Sequence, residues 1–283
     1  MDKVLACIDA SDYAASVCDL AAWASRRLQL PIELLHVVQR KDAVAERRDL
    51  SGAIGLGVKT DLLEELTRLE AADARAQIER GRLLLASAEE RLRAAGAHEI
   101  RVLHRHGGIV ETILEREAEA RVVIIGKRGA SHEFAADHIG SKVERVVRAS
   151  NKPVIIASRT FEEPGALILA YDGSPAAIRA LDRLKRSPLF DGLPVEIVSA
   201  GDSSAEIETS LRAAAAQIEA SHQVKVTFRS GRPEEVIAAA VAETPGAMLV
   251  MGAYGHSPLR KLIVGSTTTT MIRTVHIPVL LVR

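Results

Sequence analysis

Short runs of consecutive apolar residues alternate along this chain with segments whose apolar positions recur every three or four residues. Val4-Leu5-Ala6-Cys7-Ile8 is the first run, closed by Asp9. Apolar runs this short, bounded by turn residues, predict buried strands. Ala14, Val17, Ala21, Ala24 and Leu28 then share one helical face, with Ser11 or Asp12 placed to cap it. Pro31 introduces a second strand, Ile32 to Val38. From Gln39 to Val58 the chain is polar and then glycine-rich, a loop signal. A long amphipathic helix is expected over Leu62 to Ala94, with Gly81 as a point of interruption. Strands are expected at Ile100 to His104, Val122 to Ile125 and Pro153 to Ala157, with helices between them at Val110 to Ala118 and Lys142 to Ala149.

After the polar stretch Ser158 to Gly165 the order begins again. Leu167 to Tyr171 reads as a strand closed by Asp172, and Ser174-Pro175 opens a helix with proline at its first position. Leu193-Pro194-Val195-Glu196-Ile197-Val198 repeats Leu30-Pro31-Ile32-Glu33-Leu34-Leu35. Arg229-Ser-Gly231 matches Arg105-His-Gly107, Glu235 matches Glu111, and Ile277-Pro278-Val279 matches Lys152-Pro153-Val154. The chain is therefore a tandem duplication, divided into domains at 1–158 and 165–283. The offset between the halves is 163 residues at Asp9/Asp172 and 126 at Gly126/Gly252, so the first half carries about 37 extra residues after its second strand. Alternating strands and helices predict a parallel sheet covered on both faces in each half. In such sheets ligands sit beyond the carboxyl ends of the strands, where the strand order switches. Asp9, Asp172, Gly126 and Gly252 all fall at such ends.

Composition narrows the picture. Apolar residues make up 47% and charged residues 26%, as in soluble globular proteins. The formal net charge is zero, which argues against a nucleic-acid or membrane partner. No apolar run approaches the length of a membrane span, and Met1-Asp2-Lys3 leads directly into a strand without a signal peptide. The two cysteines, Cys7 and Cys18, read as buried reduced thiols, consistent with the cytoplasm. The nine histidines show no metal-ligand spacing, and scattered or internally satisfied histidines are expected. There is no Gly-x-Ser-x-Gly elbow and no P-loop lysine with Ser/Thr, so at most a slow ATPase is expected, with no catalytic residues to name.

The segment Ala247 to Ser266, AMLVMGAYGHSPLRKLIVGS, carries the chemistry. A strand breaks at Gly252 and Gly255, and Gly265-Ser266 opens a helix. Glycines let backbone N–H groups approach a ligand closely, and a helix N-terminus presents unpaired N–H groups to an anion. For glycines alone, an ordinary strand-to-helix connection is the better reading, and for Asp172 alone an Asx turn or helix cap. Asp172-Gly173-Ser174 together with Gly252-x2-Gly255-x9-Gly265-Ser266, in this strand order and twice over, resembles the universal stress protein family. The resemblance implies two tandem Rossmann-like domains, each a five-stranded parallel sheet with helices on both faces. It further implies that ATP, with Mg, binds the second half: Asp172 at the adenosine end, the backbone near Ala200 at the adenine edge, and Gly252, Gly255, Gly265, Ser266 and Thr267 around the phosphates. The two halves are expected to form an intramolecular pseudo-dimer through their last strands, Val154 to Ala157 and Val279 to Val282, with homodimerisation left open.

The first half departs from that pattern. Ten residues separate Gly129 from Gly140, Lys127 and Arg128 replace Ala253 and Tyr254, Ala10 replaces the glycine after Asp9, and Asp137 puts a negative charge in the loop. Asp9, Val37, Gly126, Gly129, Gly140 and Ser141 are therefore expected to form a weaker second site. Lys127 and Arg128 read as phosphate ligands or as a solvated basic loop. Asp49 to Gly57 is expected to be a mobile cover over this cleft. Two functions stand: a nucleotide-binding stress-response module, or a scaffold or carrier for a protein, a lipid-like molecule or a metal.

Overall fold

The computed structural model describes residues 2–38, 56–129, 140–202, 205–253 and 266–283. The first half runs β1 (Lys3–Ile8), α1 (Ala14–Leu28), β2 (Ile32–Val38), α2 (Leu56–Ala94), β3 (Ile100–His106), α3 (Ile109–Glu117), β4 (Ala120–Gly126), α4 (Ser141–Ala149) and β5 (Val154–Ala157). The second repeats the order as β6 (Ala166–Ala170), α5 (Pro175–Arg186), β7 (Val195–Ala200), α6 (Ala205–Ala216), β8 (Val224–Arg229), α7 (Pro233–Glu243), β9 (Ala247–Gly252), α8 (Ser266–Thr274) and β10 (Val279–Val282). A 3-10 turn at Pro188–Phe190 follows α5.

The ten strands form one sheet, ordered β3-β2-β1-β4-β5-β10-β9-β6-β7-β8. Neighbours within each half are parallel. The halves join where β5 meets β10 antiparallel, with Ile155 opposite Leu280. Both strands are short and entirely buried. Each would otherwise leave a row of backbone N–H and C=O groups unpaired, and pairing with the other satisfies both. The expected pairing through the last strands is thus a direct ladder that makes the two sheets continuous.

Side chains alternate between two apolar layers that each run through both halves. Val4, Ala6, Leu34 and Ile155 face α1, α2, α5 and α6. Leu5, Leu35, Val123 and Ile156 face α3, α4, α7 and α8. The halves also touch where α1 meets the 3-10 turn. There Arg27 donates to the Asp191 carbonyl; within the first half, Ser16 Oγ donates to the Ser158 carbonyl beyond the end of β5 at 2.5 Å.

Three local features differ from the sequence expectation. First, α1 begins at Ala14 with Tyr13 as its N-cap and no side-chain cap bond, because Ser11 and Asp12 belong to the preceding turn. In the second half Ser174 does cap, its Oγ accepting from the Ala177 N–H at 3.2 Å with Pro175 following. Second, α2 starts at Leu56, so Gly57 is helical, and the rest of the expected cover, 49–55, lies outside the described residues. Third, α2 continues through Gly81 without interruption. A Cβ there would lie 2.6 Å from His104 Nε2 and 2.9 Å from His36 Cδ2. The glycine lets the helix lie close over the sheet. Gly81→Ala should therefore destabilise the protein, although alanine is better by about 1 kcal/mol in an isolated helix. Overpacking of this kind costs about 1–3 kcal/mol. Thermal melts of Gly81→Ala, His104→Ala and the double variant should show the penalty relieved in the double variant; simple additivity would rule out the contact as its cause.

The repeated glutamate of the second strand is a buried charge in both halves. Glu33 accepts two hydrogen bonds from Arg116, at 2.7 and 2.6 Å, and pairs with Lys3 at 3.0 Å. Glu196 pairs with Lys225 at 2.9 Å and accepts from Thr227 Oγ1 at 2.6 Å.

Candidate functional site

In the second half β6 lies between β9 and β7, so the strand order switches at the β9/β6 crevice. Asp172 follows β6, Ala200 ends β7 and Gly252 ends β9, which places the three at the carboxyl ends of adjacent strands. Asp172 is exposed. Its Oδ1 accepts from the Ser174 N–H at 2.9 Å, an Asx turn that fixes the carboxylate. The turn passes through Gly173 at φ 72°, a left-handed conformation that favours glycine. Asp172 Oδ2 has no partner among the described residues. Ala200 is half-buried, Ser266 is the first residue of α8, and half-buried Thr267 is the second. Gly255 and Gly265 lie outside the described residues.

Gly252 has a reason that its spacing did not reveal. A Cβ there would sit 2.5 Å from the Ala176 carbonyl carbon and 2.7 Å from the Ala177 nitrogen. The first turn of α5 rests on β9 at this point, and helix backbone cannot yield as a side-chain tip can. The glycine seats α5 at the crevice.

The first half repeats the Asx turn, with Asp9 Oδ1 accepting from the Ser11 N–H at 3.1 Å. Its surroundings differ. A Cβ on Gly129 would lie 2.8 Å from Asp9 Oδ2, so loop backbone covers the carboxylate. Gly126 packs under Tyr13, whose Cβ would be 2.7 Å from an added methyl. Gly140 is buried beside Gly129 and leads into Ser141, the first residue of α4, while Val37 is buried within β2. A cavity bounded by Ile8, Asp9, Ile113, Gly126, Gly129 and Gly140, but not by Val37 or Ser141, is about 70 Å³. Sites for drug-sized ligands span about 300–1,000 Å³.

Lys127 is not a solvated loop residue. It is 6% exposed and donates from Nζ to the Arg273 carbonyl at 2.6 Å and the Val275 carbonyl at 3.2 Å. These are carbonyls at the end of α8 in the other half, where a cation offsets the helix dipole. Burial and the neighbouring Arg128 charge hold its ammonium down to about 8.

The histidines are less scattered than expected. Register places His36 opposite His104, and the His36, His104 and His106 rings follow one another at centroid separations of 5.4 and 5.6 Å. Burial, with His36 and His106 alongside, holds His104 below the usual imidazole range. His36 Nδ1 lies 2.9 Å from the Ile8 carbonyl and His222 Nδ1 lies 2.8 Å from the Leu193 carbonyl. Among the described residues no group of three or more His, Cys, Asp or Glu is arranged to hold a metal ion. Cys7 and Cys18 are unpaired with each other. Burial pushes both thiols up, Cys18 to about 12, leaving little thiolate at neutral pH. A thiol reagent should leave the buried Cys18 unmodified in the native protein within minutes and label it after unfolding; rapid native labelling of Cys18 would contradict this burial.

Comparison with known proteins decides the family. The model of the universal stress protein family matches residues 1–158 and 185–283. The chain belongs to the universal stress protein family. A universal stress protein of Synechocystis sp. is 33% identical over 287 residues, across the whole of both chains. Among solved structures, a universal stress protein from Archaeoglobus fulgidus superposes with a TM-score of 0.72 at 22% identity, over 99% of this chain and 98% of that one. A Pseudomonas aeruginosa protein gives 0.61 at 17% identity, over 99% and 92%. At these identities the likeness is one of fold. Among the described residues no helix is long and apolar enough to cross a membrane.

Proposed function

We propose that this universal stress protein is a cytoplasmic stress-response module that binds an adenine nucleotide, ATP as its Mg²⁺ complex, in the crevice of its second half. The observation that carries the reading is the placement of Asp172 at the strand-order switch, with one carboxylate oxygen held by an Asx turn and the other without a partner among the described residues. A carboxylate so fixed accepts from ribose hydroxyls without having to be ordered on binding. Ala200 offers backbone to the adenine edge, and the segment from Gly255 to Gly265 with Ser266 and Thr267 receives the phosphates at the start of α8. In the first half Gly129 lies against Asp9 and the cavity bounded by the described residues is small, which supports a weaker site there than in the second half. The module binds and reports rather than turning over, with slow or no hydrolysis.

Mass spectrometry of small molecules released on denaturing the purified protein tests this reading. An adenine nucleotide approaching one per chain is expected. A lipid-like molecule, metal or protein partner recovered in its place, with no nucleotide, would move the protein to the carrier or scaffold class.

A further inference from the structure

A cleft of about 610 Å³ opens between the two halves, beside the end of β5, the end of α8 and the start of β10. That volume lies within the range of about 300–1,000 Å³ that small-molecule sites occupy. The titratable side chains on its described walls are Tyr13, Lys127, Arg128, Arg159, Arg273 and His276, with no Asp or Glu among them. The chain as a whole is neutral, so this single-sign lining is a local arrangement. Cations gathered around a partly desolvated space repel one another, and an anion between them relieves the repulsion.

Lys127 is the most buried of these groups. Its ammonium has three N–H bonds, and the described residues supply acceptors for two, the carbonyls of Arg273 and Val275. Capping α8 accounts for Lys127 but not for Arg159 and Arg273 around the same space. Arg159 also pairs with Asp12, which is not part of the lining. The duplication supplies an internal comparison. The residue matching Lys127 in the second half is Ala253, which is buried, and the end of α4 is met instead by Arg283, whose Nη1 donates to the Arg148 carbonyl at 2.7 Å. The Lys127 arrangement therefore belongs to one side of the pseudo-twofold relation only.

We propose that this cleft between the halves binds a small polyanion, a molecule carrying two or more phosphate groups, at a place separate from the crevice of the second half. Arg159 and Arg273 supply planar forks that match phosphate oxygens, and Lys127 supplies a point charge from the floor. The cleft shares Arg128 with the small cavity of the first half and is otherwise bounded by different residues.

The test uses the whole protein and inorganic pyrophosphate as the probe, followed by titration calorimetry at low and at physiological salt. Wild type is expected to bind, more weakly as salt rises. Arg273→Glu removes an attraction and adds a repulsion, and should weaken binding by at least about ten- to a hundredfold. Lys127→Met should weaken it comparably. Because Lys127 is buried and caps α8, the exposed Arg273 variant decides the matter if Lys127→Met fails to fold. No binding by wild type at low salt, or undiminished binding by Arg273→Glu, would overturn the proposal.

Discussion

Asp172→Ala is expected to weaken ATP binding by about ten- to a hundredfold in titration calorimetry, while Asp9→Ala changes it little. The two aspartates occupy matching positions and make the same Asx turn, to Ser174 and to Ser11. They differ in what lies beyond the turn. Asp172 is exposed, whereas Asp9 Oδ2 lies under Gly129. Losing a hydrogen bond to a charged group costs about 1.5–3 kcal/mol, which is the stated range of affinity. Ser174 caps α5 with its own side chain and Pro175 supports the first turn, so the helix start survives the loss of Asp172. A change at Gly252 is not a substitute experiment. A valine there would collide with the backbone of α5 and disrupt the half that carries the site. If Asp9→Ala abolishes binding and Asp172→Ala leaves it intact, the nucleotide belongs to the first half.

Glu33→Ala should cost about 3–5 kcal/mol of stability, because it leaves Lys3 and Arg116 without their buried counter-charge. The side chain is 2% exposed and is held by two hydrogen bonds from Arg116 and the ion pair to Lys3. Burial alone would raise its carboxyl; the Arg116 and Lys3 groups more than offset this and hold it below the ordinary glutamate value. A carboxyl with a depressed folded value contributes stability above its unfolded pKa, about 4.3, and loses that contribution as pH falls through the folded value. Urea unfolding of wild type should therefore show stability declining as the medium is acidified below about pH 4.3. In Glu33→Gln the decline should be shallower, since the site no longer titrates. An unchanged unfolding midpoint for Glu33→Ala at neutral pH would contradict the role given to this triad.

The strand and helix order was legible because it rests on local periodicity, and the duplication because Leu30 to Leu35 and Leu193 to Val198 match almost residue for residue. The ladder between β5 and β10 was legible for a related reason: VIIA and VLLV are short apolar strands, each of which would otherwise leave an exposed sheet edge. What escaped depends on contacts between distant residues. Gly81 looks like a helix break until β2 and β3 bring His36 and His104 beneath it. Gly252 looks like a ligand-loop glycine until α5 is seated on it. Lys127 looks like part of a basic loop, yet its acceptors lie about 146–148 residues away in the other half. The histidine cluster needs the β2/β3 register, which spacing along one strand cannot supply. Asp172 and Ala200 at neighbouring strand ends were legible, because both follow from where their strands stop.

The placement of the nucleotide is tested most directly by photo-crosslinking with an azido-substituted ATP on the intact protein, followed by peptide mapping with and without excess ATP. The expected result is ATP-competed label on second-half peptides, around Asp172, Ala200 or the segment leading into α8. Label confined to first-half peptides, or no label that ATP displaces, would contradict it.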